Sequence, residues 1–501
     1  MTLDTTSPET QPAGTGFWRA HRRILLVMGL IGGLLIGTLL GLTVGPNTPT
    51  LGGDSTGDPA LVADVRSVLV NNRGLDTLSV GRIRDGKVTF AGLGTTGDGP
   101  PSPRTPYELG SVTKTFTGLL LADAVQRGEM AVEDPLSTHL TELAGTPAGD
   151  VTLFELATHS SGLPGLAPTG SAPLLAAVGN ANPYDVSVAE LIEATKTVEL
   201  KNQGEYAYSN LGMSLLGHAE ARAAGAADWP TLATERLLTP MVMTATSFAA
   251  SETDIPDGAV RGRLENGWRA PYWYGQGYMP AGSSTWTTAE DMTKYAWAVL
   301  TRQAPGMAAL EPEAEADNGQ IGLAWQMTEF ENRELTWHNG GTGGMRTVLA
   351  LDRERQQGVI VLGNTSRWVD RTGLGLAASA GTPAAVDRPA LPTLPSLVAV
   401  AVGLAFLINF VSSAPRGRDK LAVGIGLLSG VSGLLLLLGY GPWTFAPAWI
   451  WGTLTGAAAA LAIYAVLRAR DLPTRPAKRP VLGWINAAVS LIVLALVVYA
   501  L

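Results

Sequence analysis

The chain contains no cysteine. Disulfides and thiolate metal centres are therefore excluded, and whatever folds here does so without either staple. Basic residues are also short: 35 Lys and Arg against 43 Asp and Glu, with five His and a net charge of −8. With no basic stripe to neutralise phosphates, a nucleic-acid partner is disfavoured. Asp, Glu, Lys, Arg and His are missing altogether from five apolar runs, Ile24–Val44, Leu394–Ser412, Leu421–Tyr440, Ala448–Leu467 and Val481–Leu501. Each approaches the roughly 20 residues needed to cross a bilayer. Transporters and proton pathways ordinarily carry charges inside their spans, so these runs read as an anchor or docking module.

What remains is a long chain, 501 residues, with a mean hydropathy of +0.17, which implies a soluble part beside the membrane part. Residues 1–23 are polar, rich in Thr, Pro and Glu, and read as a disordered cytoplasmic tail ending in Arg19, Arg22 and Arg23. Residues 24–44 form the first span. A cleaved signal peptide is the competing reading, but the run is long and no Ala-x-Ala site follows it. Within the span Gly29, Gly33, Gly37 and Gly41 draw a smooth stripe suited to packing another helix, whether one of the protein's own, a membrane partner's or a second copy's. Residues 45–57 are a Gly/Pro/Thr linker, 58–379 a soluble domain and 380–393 a Pro-rich linker; four spans then fill 394–501.

Charges between the spans predict orientation. Arg416, Arg418 and Lys420 occupy one short loop, and Arg468, Arg470, Arg475, Lys478 and Arg479 another, whereas Gly441–Pro447 has none. By the positive-inside rule the basic loops are cytoplasmic, which puts residues 46–390 outside and agrees with Arg22 and Arg23. The reading is a multi-pass bacterial cell-membrane protein with an extracytoplasmic domain.

Within that domain, Asp58-Pro59 predicts a helix running to Asn72, with Asp58 as cap. Leu78–Ile83 and Lys87–Leu93 alternate around Asp85-Gly86, a hairpin signal. Ile360–Leu362 reads as a final buried strand.

Three motifs carry chemistry. Ser111-Val-Thr-Lys114 places a hydroxyl and an amine on one face of a helix expected to begin near Ser111. The start of a helix also offers unpaired N–H groups that favour negative charge. Tyr208-Ser-Asn210 and His338-Asn-Gly340 follow, the latter running into Gly341-Thr-Gly-Gly344. Together the three resemble the serine β-lactamase and penicillin-binding superfamily, in its class C β-lactamase and actinomycete DD-peptidase branch. Thr152–Pro164 and Ala281–Asp291 match further stretches of that branch. The resemblance covers about residues 58–370; His338 stands where most β-lactamases carry Lys, and Pro240-Met-Val-Met243 replaces a usual Pro-Leu-Gly-Met.

The resemblance implies an α/β (α+β) fold of the β-lactamase/DD-peptidase type, an antiparallel sheet flanked by helices with a helical subdomain, here followed by a transmembrane bundle. It implies Ser111 as nucleophile, Lys114 as base, Tyr208 in the same proton network, and Asn210 orienting substrate and holding Lys114. The N–H groups of Ser111 and Gly341 would form the oxyanion hole, and the glycines from Gly340 onward would admit the substrate backbone. His338, about a quarter charged at pH 7 from its ordinary pKa, would make carboxylate recognition pH-dependent, and Arg346 would supply a permanent charge. His159 reads as structural. Trp268, Tyr272, Trp273, Tyr274 and Tyr278 line the pocket or the core. No cofactor or metal is called for. The expected reaction is acyl-enzyme formation with a D-amino-acid peptide, peptidoglycan-like amide or ester. An esterase or peptide cyclase uses the same residues, and a slowly acylated sensor acting through the membrane bundle is the reading from another class.

Overall fold

The computed structural model describes residues 15–46, 48–69, 72–168, 182–379, 392–474 and 481–500. The chain forms two compact units, Thr48–Pro392 and Met1–Asn47 with Thr393–Leu501.

Among its described residues the first unit has twelve strands: β1 Ser55–Gly57, β2 Thr77–Arg84, β3 Lys87–Gly94, β4 Tyr107–Glu108, β5 Ser247–Phe248, β6 Thr285–Thr287, β7 Ala314–Ala316, β8 Gly319–Ile321, β9 Gln326–Phe330, β10 Arg333–Gly341, β11 Arg346–Asp352 and β12 Gln357–Gly363. Nine form one sheet in the order β1-β3-β2-β12-β11-β10-β9-β8-β7, and β4-β6-β5 form a smaller one. β12 closes the large sheet by pairing with β2, with Val361 opposite Val80, so strands distant in sequence become neighbours. Strand alternation divides the core. Leu349, Leu351, Ile360 and Leu362 enter one apolar cluster, whereas Val348, Ala350, Val359 and Val361 enter the other. The antiparallel sheet with flanking helices is the expected architecture.

Local signals act as their chemistry predicts. Asp58 accepts a hydrogen bond from Leu61 N at 2.7 Å, and Pro59 opens the helix Pro59–Val68. That helix stops before Asn72 because Leu69 is extended. Asp85 and Gly86 both adopt positive φ, the twist a tight hairpin requires. Ser55–Gly57, inside the stretch read as linker, pairs with β3.

In the second unit, four helices among the described residues are long and apolar enough to cross a membrane: Leu26–Val44, Leu394–Ser413, Lys420–Tyr440 and Trp449–Ala469. A further helix, Val481–Ala500, has a described apolar stretch of Trp484–Ala495. The first helix begins at Thr15, inside the tail read as disordered. Once a long apolar helix is nucleated, extending it by a turn or two costs little. Residues 1–14 and Arg475, Lys478 and Arg479 lie outside the described residues, as do 380–391 of the second linker. The glycine stripe is filled by the chain's own helix Ala448–Ala469. A Cβ on Gly37 would lie 3.0 Å from Gly456 Cα, and one on Gly41 3.0 Å from Gly452 Cα. Thr455 Oγ1 donates to Gly37 O at 3.1 Å across the same seam.

Candidate active site

Ser111 is delivered by a short strand, a glycine and a helix start. β4 pairs with β6 through Tyr107 opposite Thr287 and Glu108 opposite Trp286. Leu109 N then donates to Thr285 O at 2.7 Å. Gly110, at φ +64°, turns the chain into a 3-10 turn, Gly110–Thr113, and the α-helix proper starts at Lys114 rather than near Ser111. The tighter turn still brings residues i and i+3 together. Lys114 Nζ lies 2.9 Å from Ser111 Oγ and donates to Ala281 O at 2.5 Å. Lys114 is fully buried, and desolvation pulls its pKa well below the ordinary lysine value. A neutral amine keeps a lone pair for the Ser111 proton while still donating to Ala281.

Tyr208-Ser-Asn210 works as a helix start. Ser209 caps the helix Asn210–Ala223, accepting from Gly212 N at 2.9 Å and donating to Pro164 O at 2.7 Å. The residues on either side of the cap, Tyr208 and Asn210, face the site. The Tyr208 ring lies 4.9 Å from Lys114 Nζ. Burial of its phenol raises the Tyr208 pKa, outweighing the lowering effect of the Ser111 hydroxyl. Because 38% of the residue is exposed, solvent screens part of that rise. Asn210 differs from expectation: its amide donates to the Tyr184 hydroxyl at 3.3 Å, and the second group holding Lys114 is the Ala281 carbonyl. His159, buried at φ +59°, packs its ring 4.5 Å from that of Tyr208 and accepts from Ser209 N at 3.3 Å, a supporting role.

His338 corrects the pH-dependent carboxylate reader inferred from its ordinary pKa. It is 1% exposed, and burial, helped by Lys114, lowers its pKa to about 3. Its Nδ1 lies 2.6 Å from Asn339 O. A carbonyl only accepts, so Nδ1 carries the hydrogen and the imidazole is neutral at physiological pH. Its ring stands 6.4 Å from that of Tyr208.

The glycine run packs mainly against the protein itself. Gly340 abuts Leu109 O, and its added Cβ would be 3.2 Å from Ser111 N; one on Gly343 would be 2.7 Å from Trp273 Nε1. Gly110 and Gly341 meet at the cleft, where a Cβ on Gly110 would lie 2.7 Å from Gly341 N. Gly110→Ala is therefore expected to displace the Gly341 amide and strain a positive-φ position. Loss of one such donor lowers kcat about 10²–10³-fold, measurable as slower acylation of Ser111 by a reactive ester. Arg346 is committed differently from its assigned role. Nη1 donates to Thr342 O at 3.0 Å and Met345 O at 2.7 Å, and the guanidinium lies 4.5 Å from the Trp368 ring centre. Its pKa falls to about 10 through burial, so it remains a cation that braces the loop after β10.

Glu108 escaped the sequence reading. It is 3% exposed and accepts from Ser284 N at 3.0 Å, tying β4 to the segment that supplies Ala281. Burial pushes its pKa up to about 8. The folded carboxyl thus holds a proton that an unfolded one, near pH 4.3, has lost, so its contribution to stability falls as pH rises through that window. Glu108→Gln is expected to gain stability relative to the parent between pH 5 and pH 8, read from urea midpoints at the two values.

The cleft is lined by Ser111, Asn210, Gly341 and Thr342 with Tyr184, Trp273 and Tyr278. The Tyr184 ring lies tilted 5.0 Å from that of Trp273 and edge-on 4.9 Å from that of Tyr278. Trp273 and Tyr278, which the sequence left between pocket and core, line the cleft, and Tyr184 was missed because it sits outside every motif. Tyr272 instead donates to Ala259 O and packs on Trp286.

A family model described as Beta-lactamase matches residues 62–381. A β-lactamase of Providencia stuartii is 34% identical over 126 residues, 25% of this chain and 29% of that protein. The matched stretches span between 17% and 53% of the length of the first curated relatives. Among solved structures, the class C β-lactamase from Rhodobacter sphaeroides superposes with a TM-score of 0.52 at 20% identity, covering 62% of this chain and 95% of that one. The octameric penicillin-binding protein homologue from Pyrococcus abyssi gives 0.55 at 20% identity, covering 69% and 80%. At such identity the likeness is one of fold.

Proposed function

The chain belongs to the β-lactamase family, and on that premise we propose a membrane-anchored serine hydrolase that works through an acyl-enzyme on Ser111. The observation that carries the reading is the fully buried Lys114 amine 2.9 Å from Ser111 Oγ. Ser111 Oγ attacks an ester or amide carbonyl while its proton passes to Lys114. The N–H groups of Ser111 and Gly341 receive the developing oxyanion. The tetrahedral intermediate collapses, breaking the bond to the leaving group, which takes a proton from the Lys114–Tyr208 pair. Water then hydrolyses the acyl-enzyme to a free acid and regenerates Ser111. Substrates of the family type, D-amino-acid peptides and peptidoglycan-related amides or esters, fit this sequence of steps.

Intact-protein mass spectrometry after mixing with a penicillin or an activated ester tests the reading. A mass increase equal to the acyl group, mapped to Ser111, is the expected result; an adduct elsewhere, or none with any acyl donor, ends it. The basic loops holding Arg416, Arg418 and Lys420 and Arg468 and Arg470 support a cytoplasmic side for those loops and an external catalytic domain. The cysteine-free background makes labelling direct. An impermeant maleimide on intact cells is expected to modify Asp98→Cys and spare Ser412→Cys, and the opposite pattern inverts the topology.

A further inference from the structure

Every described side chain that lines the cleft is uncharged. Three cationic residue types stand close enough to matter, and each is withdrawn. Lys114 is buried against Ser111 and Ala281. His338 is buried, with Nδ1 turned to Asn339 O. Arg346 gives Nη1 to the Thr342 and Met345 carbonyls and lies on Trp368. Glu108, three residues before Ser111, is held by Ser284 N and brings no positive charge.

Part of the cleft lining is aromatic. Tyr184 bridges Trp273 and Tyr278, and Trp273 is seated against Gly343, where a side chain has no room. A carboxylate entering such a cleft loses its hydration and meets no charged lining side chain, the nearby Arg346 cation being held at the Thr342 and Met345 carbonyls, whereas an apolar acyl group loses water from both surfaces.

Resting on the serine-hydrolase reading above, we propose that the preferred substrates are uncharged acyl donors, esters or amides whose leaving group bears no carboxylate and whose acyl group is apolar or aromatic. The reaction is ester plus water giving acid plus alcohol, through the Ser111 acyl-enzyme, with no further reactant.

Four aryl esters test this with the full-length protein in detergent: acetyl or phenylacetyl, each on 3-carbamoylphenol or 3-carboxyphenol. Each kcat/KM is divided by the ester's spontaneous hydrolysis rate, which removes leaving-group reactivity. The carbamoyl esters are expected to exceed their carboxyl counterparts by about tenfold, equivalent to about 1.4 kcal/mol, and phenylacetyl to exceed acetyl by a similar factor. Equal or faster turnover of the carboxyl esters overturns the charge preference, and equal turnover of the two acyl groups overturns the role of the aromatic wall. A fluorophosphonate probe separates the two levels of failure. If it labels Ser111 while none of the four esters is turned over, the substrate class is wrong and the nucleophile stands; if Ser111 is not labelled, both fall.

Discussion

A Ser111→Ala chain is expected to lose kcat by about 10⁶-fold, the scale seen when the nucleophile of an acyl-transfer unit is removed, while folding as the parent does. The first half follows from roles: Ser111 is the described hydroxyl that the Lys114 amine meets, at 2.9 Å, so residual turnover comes from binding and the oxyanion donors alone. The second half follows from contacts. Ser111 Oγ meets Lys114 Nζ, and Lys114 keeps the Ala281 carbonyl when that hydroxyl is gone. Gly110 and Gly282, whose added Cβ atoms would strike Gly341 N and Ser111 Cα, are unaffected because alanine adds no atom beyond the serine Cβ. Rate, adduct mass and urea midpoint measured together check both halves. A variant that still forms the adduct excludes Ser111, and one with a collapsed midpoint makes the hydroxyl structural.

Much of this site was legible because its signals are local. Ser111 and Lys114 are three residues apart, and either a 3-10 turn or an α-helix brings them together, so mistaking the start of the helix left the contact intact. Asp58-Pro59 and Asp85-Gly86 likewise specify a cap and a hairpin through their own backbone preferences. What was not legible is burial. His338 looks like a titrating residue in sequence, and only its 1% exposure makes it neutral. Arg346 looks like a free cation until the Thr342 and Met345 carbonyls take its Nη1. The Ala281 carbonyl and Tyr184 belong to no motif, since a backbone acceptor and a wall residue are chosen by position rather than by identity. The glycine stripe marked a smooth helix face but left its neighbour open, and in the structure that neighbour is another helix of the same chain.

Lys114→Arg is expected to lower kcat/KM by about 10²–10⁴-fold, the usual range for a general base. Conserving the charge does not help here, because charge is what the base must shed. A guanidinium stays protonated at any working pH and accepts no proton from Ser111. The site also gives the longer side chain nowhere to go, since Lys114 is fully buried and held at Ala281. In the parent, the lowered Lys114 pKa predicts that kcat/KM rises with pH through that pKa and then levels off, as the neutral amine becomes populated. The stability linkage has the same direction. Between the lowered folded pKa and the unfolded value of about 10.4, the unfolded chain binds a proton that the folded one lacks, so stability rises with pH. Lys114→Met removes this dependence and should be more stable than the parent near neutrality, with the difference shrinking as pH approaches 10. Comparing urea midpoints for parent and Lys114→Met at pH 6 and pH 9 measures it. A difference that stays constant between those values means that Lys114 is not held neutral in the folded protein, and the general-base assignment then fails.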